Sequence, residues 1–526
     1  MNILSSCFVI QVWVFVTATI VLQSSQAFRP HSIPSRLSSP TPIAPSRPFL
    51  IALPRRGSVD GDAEHLESID ESTHNDDSRI CWTSQQLKLS IPALLSLMAD
   101  PLLSLVDTAF VGRLGTTALA ALGGCTSIFH LAFDTFRATT FATTSLVGPY
   151  HANTTLADAV ADNDLQAVTR LSLQFGSLLG VVVAFFLLFC GNSILAVMGI
   201  PVESSLYKDA ASYLRTRAWA SPCLAFTAVA TGLFRGAGTT VVPLIASLIA
   251  SGFNLVLDPL LMFGKYAWGV KGAAAATAIS QAIASLFLGA TLLRKRLLTL
   301  SKTVPLTGEK RKTVLTTIFK ANVSMMAKQG SLLGAWAYCT AQATRLGASH
   351  VAAHQIALSV WLVVALMLSS NAVGAQILAS QYFRKSRQRQ TPVFYSLLRY
   401  QGILAVGQGL AASIFIAVVL APLVPTVMSA DAAVQYNLRQ LLPTLALQQL
   451  LVSCTLMTEA LATAAQQFSF LAVGTVLATA LSIWRLQGPT TVTGLWKNGI
   501  TMLFVGRWAT ATFALLRALR VNKLRE

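Results

Sequence analysis

Carboxylates are scarce in the apolar body of this 526-residue chain, and their positions are the first indication of chemistry. Within apolar stretches lie Asp100, Asp107, Asp134 and Asp258 in the first half and Glu459 in the second, with Asp431 just ahead of the stretch that holds Glu459. An ionised carboxylate at the centre of a membrane span costs about 2.5–3.5 kcal/mol on insertion scales, so an acid kept there is a functional candidate. Asn254 and Asp258 are spaced i, i+4, which places both on one face of a helix. Asp100 and Asp107 are two turns apart and share a face as well. If these faces meet, they form a polar pocket able to hold a proton or a sodium ion. Two carboxylates repel when both are ionised, which favours keeping a proton between them, and a hard cation takes carboxylate and amide oxygens as ligands. Asp100, directly before Pro101, equally suits an N-cap-like acid at a helix break, and Asp134 beside Arg137 equally suits a local helical salt bridge. His350 and His354 have the i, i+4 spacing of a metal pair but no third ligand nearby. The seven cysteines are scattered without a CxxC, and no GxxxxGK[ST] loop occurs, so neither a zinc site nor direct driving by ATP is supported.

The elements that must position these acids are membrane helices. The chain is 53% apolar and 11% charged, with a mean hydropathy of +0.59. That excludes a disordered chain and argues against a soluble enzyme. A span needs about 20 mainly apolar residues. Such stretches centre near 86–108, 118–147, 168–192, 211–232, 239–263, 269–293, 316–341, 350–378, 394–421, 436–460, 466–486 and 493–518. The expected architecture is an all-α polytopic membrane protein of twelve transmembrane helices in two pseudo-symmetric six-helix lobes: spans 1–6 over residues 83–298, a basic inter-lobe loop over 299–315, and spans 7–12 over 316–526.

The first eighty residues read differently. Residues 8–22 form a short apolar run followed by small and polar residues, so 1–27 reads as a signal peptide. From Phe28 to Val59 there are five arginines, seven prolines, six serines and no acid, and 28–58 reads as a transit-like presequence. The junction Ala27-Phe28-Arg29-Pro30 resembles the bipartite plastid presequences of algae with secondary plastids, which points to a plastid envelope, with an endomembrane or the plasma membrane as the alternative. Residues 60–77 hold eight of the 21 acids and almost no large apolar side chains, so 59–82 reads as a disordered linker.

The net charge of +18 is mostly topology. Residues 294–320 carry eight bases against Glu309 alone; this loop, the 384–399 loop and the tail with Arg517, Arg520, Lys523 and Arg525 should share one face. The halves also repeat: Arg113-Leu114-Gly115 followed by Leu119-Ala120-Ala121 recurs 232 residues later as Arg345-Leu346-Gly347 followed by Val351-Ala352-Ala353. A weaker echo pairs Pro222-Cys223-Leu224-Ala225 with Pro443-Thr444-Leu445-Ala446. Ordered repeats in two six-span halves suggest a duplicated transporter with its site at the repeat interface or within a lobe.

The segment Ala99–Gly115 with Leu119–Gly123 after it resembles span 1 of a MATE (multidrug and toxic compound extrusion) transporter. So do Gly232-Leu-Phe-Arg-Gly236-Ala-Gly238, the run Asn254-Leu-Val-Leu-Asp258-Pro259 with Gly269-Val-Lys-Gly272, and Ala352-Ala-His354-Gln355-Ile356. The pattern covers nearly all of 83–526 and is most similar to the DNA-damage-inducible-F branch. The resemblance implies a proton- or sodium-coupled antiporter in which Asp107, Asn254 and Asp258 bind the coupling ion. It also implies that Thr277 is a span 6 polar residue and that Pro92 is the point at which span 1 bends when its aspartate changes protonation. Leu103 departs from the pattern, since some prokaryotic relatives carry a tyrosine there; Asp100 is then the candidate substitute. The second lobe lacks an acid in spans 7 and 8, which favours coupling in the first.

The function expected is export of a small organic solute, a drug-like cation or an organic or phenolic anion, against inward flow of H+ or Na+, with no cofactor beyond that ion. The expected partners are the solute and the lipid bilayer, with no nucleic acid and the chain acting as a monomer. A lipid-linked precursor flippase of the same superfamily and a transport-inactive membrane sensor are the rivals. An integral-membrane enzyme would need convergent acid, base or metal groups at a membrane face, and the sequence offers no such set.

Overall fold

The structure is a computed structural model that describes residues 82–151, 163–197, 200–264, 267–298, 308–385, 391–523. The signal peptide, presequence and nearly all of the acidic linker lie outside the described residues, as does most of the basic inter-lobe loop. The N-lobe contains α1 (Trp82–Gly112), α2 (Thr116–Val147), α3 (Asn163–Phe189), α4 (Tyr207–Ala218), α5 (Ser221–Gly236), α6 (Val241–Met262) and α7 (Val270–Arg294). The C-lobe contains α8 (Gly308–Arg345), α9 (Ala348–Lys385), α10 (Thr391–Phe415), α11 (Ala421–Met428), α12 (Ala432–Ala464), α13 (Phe468–Arg485) and α14 (Thr501–Lys523). Because α4 with α5, and α10 with α11, each form one broken span, the fold has twelve transmembrane helices in two six-helix lobes. Each break has a local cause. Pro222 opens α5 at a position where a missing N–H costs nothing. A π-turn over Ile416–Leu420 precedes α11 at Pro422, and a second over Leu495–Ile500 leads into α14.

Among the described residues nine helical stretches have the length and hydropathy of a membrane span. The other three spans of the fold are α2, the pair α4 and α5, whose halves have 12 and 16 residues, and α8. α2 carries Thr139, Thr140, Thr143, Thr144 and Ser145, all buried; Thr144 donates to the carbonyl of Thr140 at 2.8 Å and Thr140 to that of Ala228 on α5 at 2.9 Å. The hydroxyls of Thr140 and Thr144 thus find backbone acceptors, as does that of Thr139 at the Phe136 carbonyl. Gly232 and Gly236 make this approach possible, since a Cβ at Gly232 would lie 2.8 Å from the Thr140 carbonyl oxygen. α8 begins with the charged run at Glu309, and α4 is the polar half of span 4.

The internal repeat is structural. Gly115 between α1 and α2 has φ +120°, and Gly347 between α8 and α9 has φ +115°. Both occupy backbone that L-residues avoid, in the same turn of each lobe. The second echo differs: Pro222 starts a helix, whereas Pro443 sits inside an unbroken α12. α1 likewise runs through Pro92 and Pro101 without a break, so Asp100 lies inside a helix and is not an N-cap.

Within the N-lobe α6 packs on α7, α2 and α3 on α5, and α4 on α7; within the C-lobe α9 and α10 pack on α12, α8 on α13 and α13 on α14. Between lobes α2 meets α8, where Ala138 and Ala142 join a cluster with Ala321 and Met325. Side-chain amides close the same side. Gln86 donates to the Asn371 carbonyl at 2.8 Å and accepts from Gln401 at 3.0 Å. Gln376 donates to Ser145 Oγ at 2.9 Å and to the Phe141 carbonyl at 3.0 Å, and Gln466 to the Ser145 carbonyl at 3.0 Å. These bonds lie in the halves of the helices nearest the basic loops. The Gly115 and Gly347 turns lie at the opposite ends, and a Cβ at either would meet nothing within 4 Å.

Candidate functional site: a bridged carboxylate pair

α1, α6 and α7 bring four of the expected residues together. Asn254 and Asp258, one turn apart on α6, are both fully buried, and Thr277 on α7 is 4% exposed. Asp107 comes from α1, five residues before its end at Gly112, and is half-buried. The Asn254 amide lies between the two carboxylates and Thr277. With its nitrogen facing the acids, it donates to Asp107 Oδ1 at 3.0 Å and to Asp258 Oδ2 at 3.2 Å, while its oxygen accepts from the Thr277 hydroxyl at 3.3 Å and from the Thr277 backbone N–H at 3.2 Å. The reverse orientation would set its oxygen against carboxylate oxygens, so chemistry selects this one. One amide thus bridges the two carboxylates, which repel each other when both are ionised. Asp258 Oδ1 has no partner among the described groups. The pocket therefore presents two carboxylates, an amide and a hydroxyl within reach of one another, enough to hold a proton or a small hard cation.

An arginine borders this pocket. Arg217 on α4 donates from Nη1 to the Tyr213 hydroxyl at 2.9 Å, and its guanidinium lies 4.7 Å from the ring centre of Phe129 and 5.6 Å from that of Phe133. Its charge is felt at Asp107. Arg217 was legible as a base inside the apolar stretch 211–232, because an intramembrane cation meets the same insertion cost as an acid.

The remaining candidates lie elsewhere. Pro92 sits in α1, fifteen residues before Asp107. The side chains of Asp100 and Asp134 lie outside the described residues. Asp431 caps α12, accepting from the Ala433 N–H at 2.8 Å. His354 is fully buried and its two ring nitrogens are committed: Trp496 Nε1 donates to Nδ1 at 3.0 Å, so Nε2 carries the hydrogen toward Thr340 Oγ1 at 3.0 Å. That bonding occupies both atoms a metal would need. Glu459 is buried in an ion-paired group with Lys328 and Arg507, and neither base is evident from the acids alone.

Two six-helix lobes with an acid pair in one of them make this a multi-pass membrane protein. The profile of the MatE family matches residues 92–260, which contain Asp107, Asn254 and Asp258. Protein DETOXIFICATION 44, chloroplastic, of Arabidopsis thaliana is 33% identical over 339 residues, 63% of this chain and 62% of that protein. Protein DETOXIFICATION 43 of the same plant is 30% identical over 376 residues, 61% of this chain and 69% of its own length. The chain thus spans between three-fifths and seven-tenths of these relatives. Among solved structures, a Vibrio cholerae MATE transporter in the bent form shares the fold at a TM-score of 0.71 and 19% identity, covering 84% of this chain and 98% of that one. A MOP superfamily transporter from Pyrococcus furiosus does so at 0.69 and 22%, covering 84% and 96%. The chain belongs to the MATE family of multidrug and toxic compound efflux transporters.

Proposed function

We propose that the protein is a secondary antiporter that exports a small organic solute, a drug-like cation or an organic or phenolic anion, in exchange for H+ or Na+. The observation that carries this reading is the amide-bridged pair of Asp107 and Asp258, a half-buried acid beside a fully buried one, whose oxygens suit a single small cation. Asp107 and Asp258 bind the coupling ion, Asn254 and Thr277 supply further polar atoms, Asp100 lies on the same helix, and Pro92 is where α1 bends as the ion comes and goes. A potential of 100 mV supplies about 2.3 kcal/mol per charge moved, enough for a solute gradient of more than tenfold. The presequence composition, together with relatives whose names place them in chloroplasts, supports a plastid envelope as its membrane.

In proteoliposomes, Asp107→Asn abolishes coupled efflux while the protein still inserts; unchanged coupling would defeat the reading. Imposing pH and sodium gradients separately identifies the ion. A transport-inactive sensor would show no solute-dependent ion flux in wild type, and that result also rejects the antiporter.

A further inference from the structure

The C-lobe encloses a charged group of opposite balance to the N-lobe pair. Glu459 on α12 accepts from Arg507 Nε and Nη2 on α14, both at 2.9 Å, and from Lys328 Nζ on α8 at 2.8 Å. Glu459 and Arg507 are each 5% exposed. The guanidinium fork occupies both carboxylate oxygens. Two cations then share one anion, and the group is left with one positive charge in excess, at a depth where unmatched charge marks a functional site. Lys328 has three donors and one of them serves Glu459.

An aromatic wall adjoins the cations. The Arg507 guanidinium lies 5.0 Å from the ring centre of Phe504; Phe504 is 6.0 Å from Trp361, Trp361 is 4.7 Å from Trp336, and Trp336 is 5.5 Å from Trp496. The indole N–H of Trp361 is buried and has no hydrogen-bond partner among the described groups. A buried donor without an acceptor is costly to leave so, and a ligand oxygen would satisfy it.

We propose that Lys328, Arg507 and this wall form a binding subsite for a planar aromatic carboxylate. The carboxylate matches the excess positive charge, Glu459 holds the two cations in place, the ring packs on the partly exposed indoles of Trp336 and Trp361, with Trp496 buried behind them, and a ring oxygen accepts from Trp361. The inference deepens the antiporter reading by naming the solute class; it rests on that reading for transport but not for binding.

The test uses the full chain in lipid nanodiscs with radiolabelled 4-hydroxybenzoate and benzoate as probes, read by equilibrium dialysis. Wild type is expected to bind 4-hydroxybenzoate saturably at one site, and cyclohexanecarboxylate to compete at least fivefold less well than benzoate. Lys328→Gln weakens binding at least tenfold, whereas Lys328→Arg keeps it within threefold. Trp361→Phe removes the preference for 4-hydroxybenzoate over benzoate. No saturable binding by wild type, or unchanged binding by Lys328→Gln, overturns the proposal. Should Lys328→Gln fail to fold, an unchanged preference in Trp361→Phe overturns it alone. Asp107→Asn separates the two readings. If it binds 4-hydroxybenzoate normally but loses coupled flux, both stand; if flux is unchanged while the Lys328 and Trp361 variants lose binding, only the antiporter reading falls.

Discussion

Gln376 on α9 and Ser145 on α2 belong to different lobes, yet the amide of one donates to the hydroxyl of the other at 2.9 Å. Ser145 also receives Gln466 at its carbonyl, so one residue near the end of α2 holds two segments of the C-lobe. Such bonds close the side of the protein that carries the basic loops, whereas the carboxylate pair lies toward the opposite side, near the end of α1. A rocking motion that reverses access has to break them.

The first prediction concerns this latch. A neutral hydrogen bond contributes about 0.5–1.5 kcal/mol net, so the double variant Gln376→Ala and Gln466→Ala, which loses three such bonds, shifts the balance between closed and open by roughly tenfold to a thousandfold. Thr317 provides a reporter, since it lines a cavity of about 530 Å³ together with Leu146, Gln466 and Arg517. A cysteine placed there should react faster with a hydrophilic maleimide in the double variant than in the otherwise identical parent. Equal rates would mean that these amides do not hold the lobes.

Asn254 makes the second prediction. Hydrogen bonds to a charged group contribute about 1.5–3 kcal/mol, and this amide makes one to each carboxylate. Asn254→Leu keeps the volume and removes both, so the two acids lose the group that spaces them. The expected result is a rise of at least tenfold in the H+ or Na+ concentration giving half-maximal counterflow, with normal insertion. Asn254→Gln, which can still reach one carboxylate, should fall between the two.

Much of this architecture was legible because membrane helices announce themselves. In lipid a backbone must satisfy its own hydrogen bonds, so a run of apolar residues of sufficient length can be little else. The four-residue spacing of Asn254 and Asp258 fixed their shared face, and the meeting of that face with Asp107 followed from the resemblance in α1, α6 and α7. What remained hidden depended on partners distant in sequence. Arg217 reaches Phe129 over 88 positions, and Glu459 reaches Lys328 over 131, neither of which a helical period records. The breaks in α10 and before α14 are π-turns, which leave the hydropathy profile unchanged.

Arg217 supports a third prediction, with a sign. Its positive charge near Asp107 opposes the arrival of another cation at the carboxylate pair, and at short range in a poorly hydrated site such a charge is worth more than in water. Arg217→Gln therefore tightens coupling-ion binding, lowering the half-saturating concentration by about tenfold. Arg217→Lys keeps the charge but not the planar contact with Phe129 and Phe133, so ion affinity stays near wild type while thermal stability falls by about 0.5–2 kcal/mol. A weaker ion affinity in Arg217→Gln would show that the guanidinium serves the pocket through structure and not through charge.

The paired turns give the last prediction. Gly115 has φ +120° and ψ 171°, a region open essentially to glycine alone, and Gly347 matches it in φ at +115°. A Cβ at either position would meet no neighbour within 4 Å, so an alanine there is opposed only by its own backbone. Gly115→Ala and Gly347→Ala should each cost about 1–3 kcal/mol, and by similar amounts, because the two turns repeat one geometry in two lobes. Thermal unfolding of each purified variant in the same detergent measures this. Gly112→Ala is the control, since it too meets nothing within 4 Å but lies at the end of α1 without a positive φ, and it should leave the transition near wild type. If Gly115→Ala is as silent as that control while Gly347→Ala is costly, the two turns are not equivalent, and the duplication is one of sequence without a shared backbone constraint.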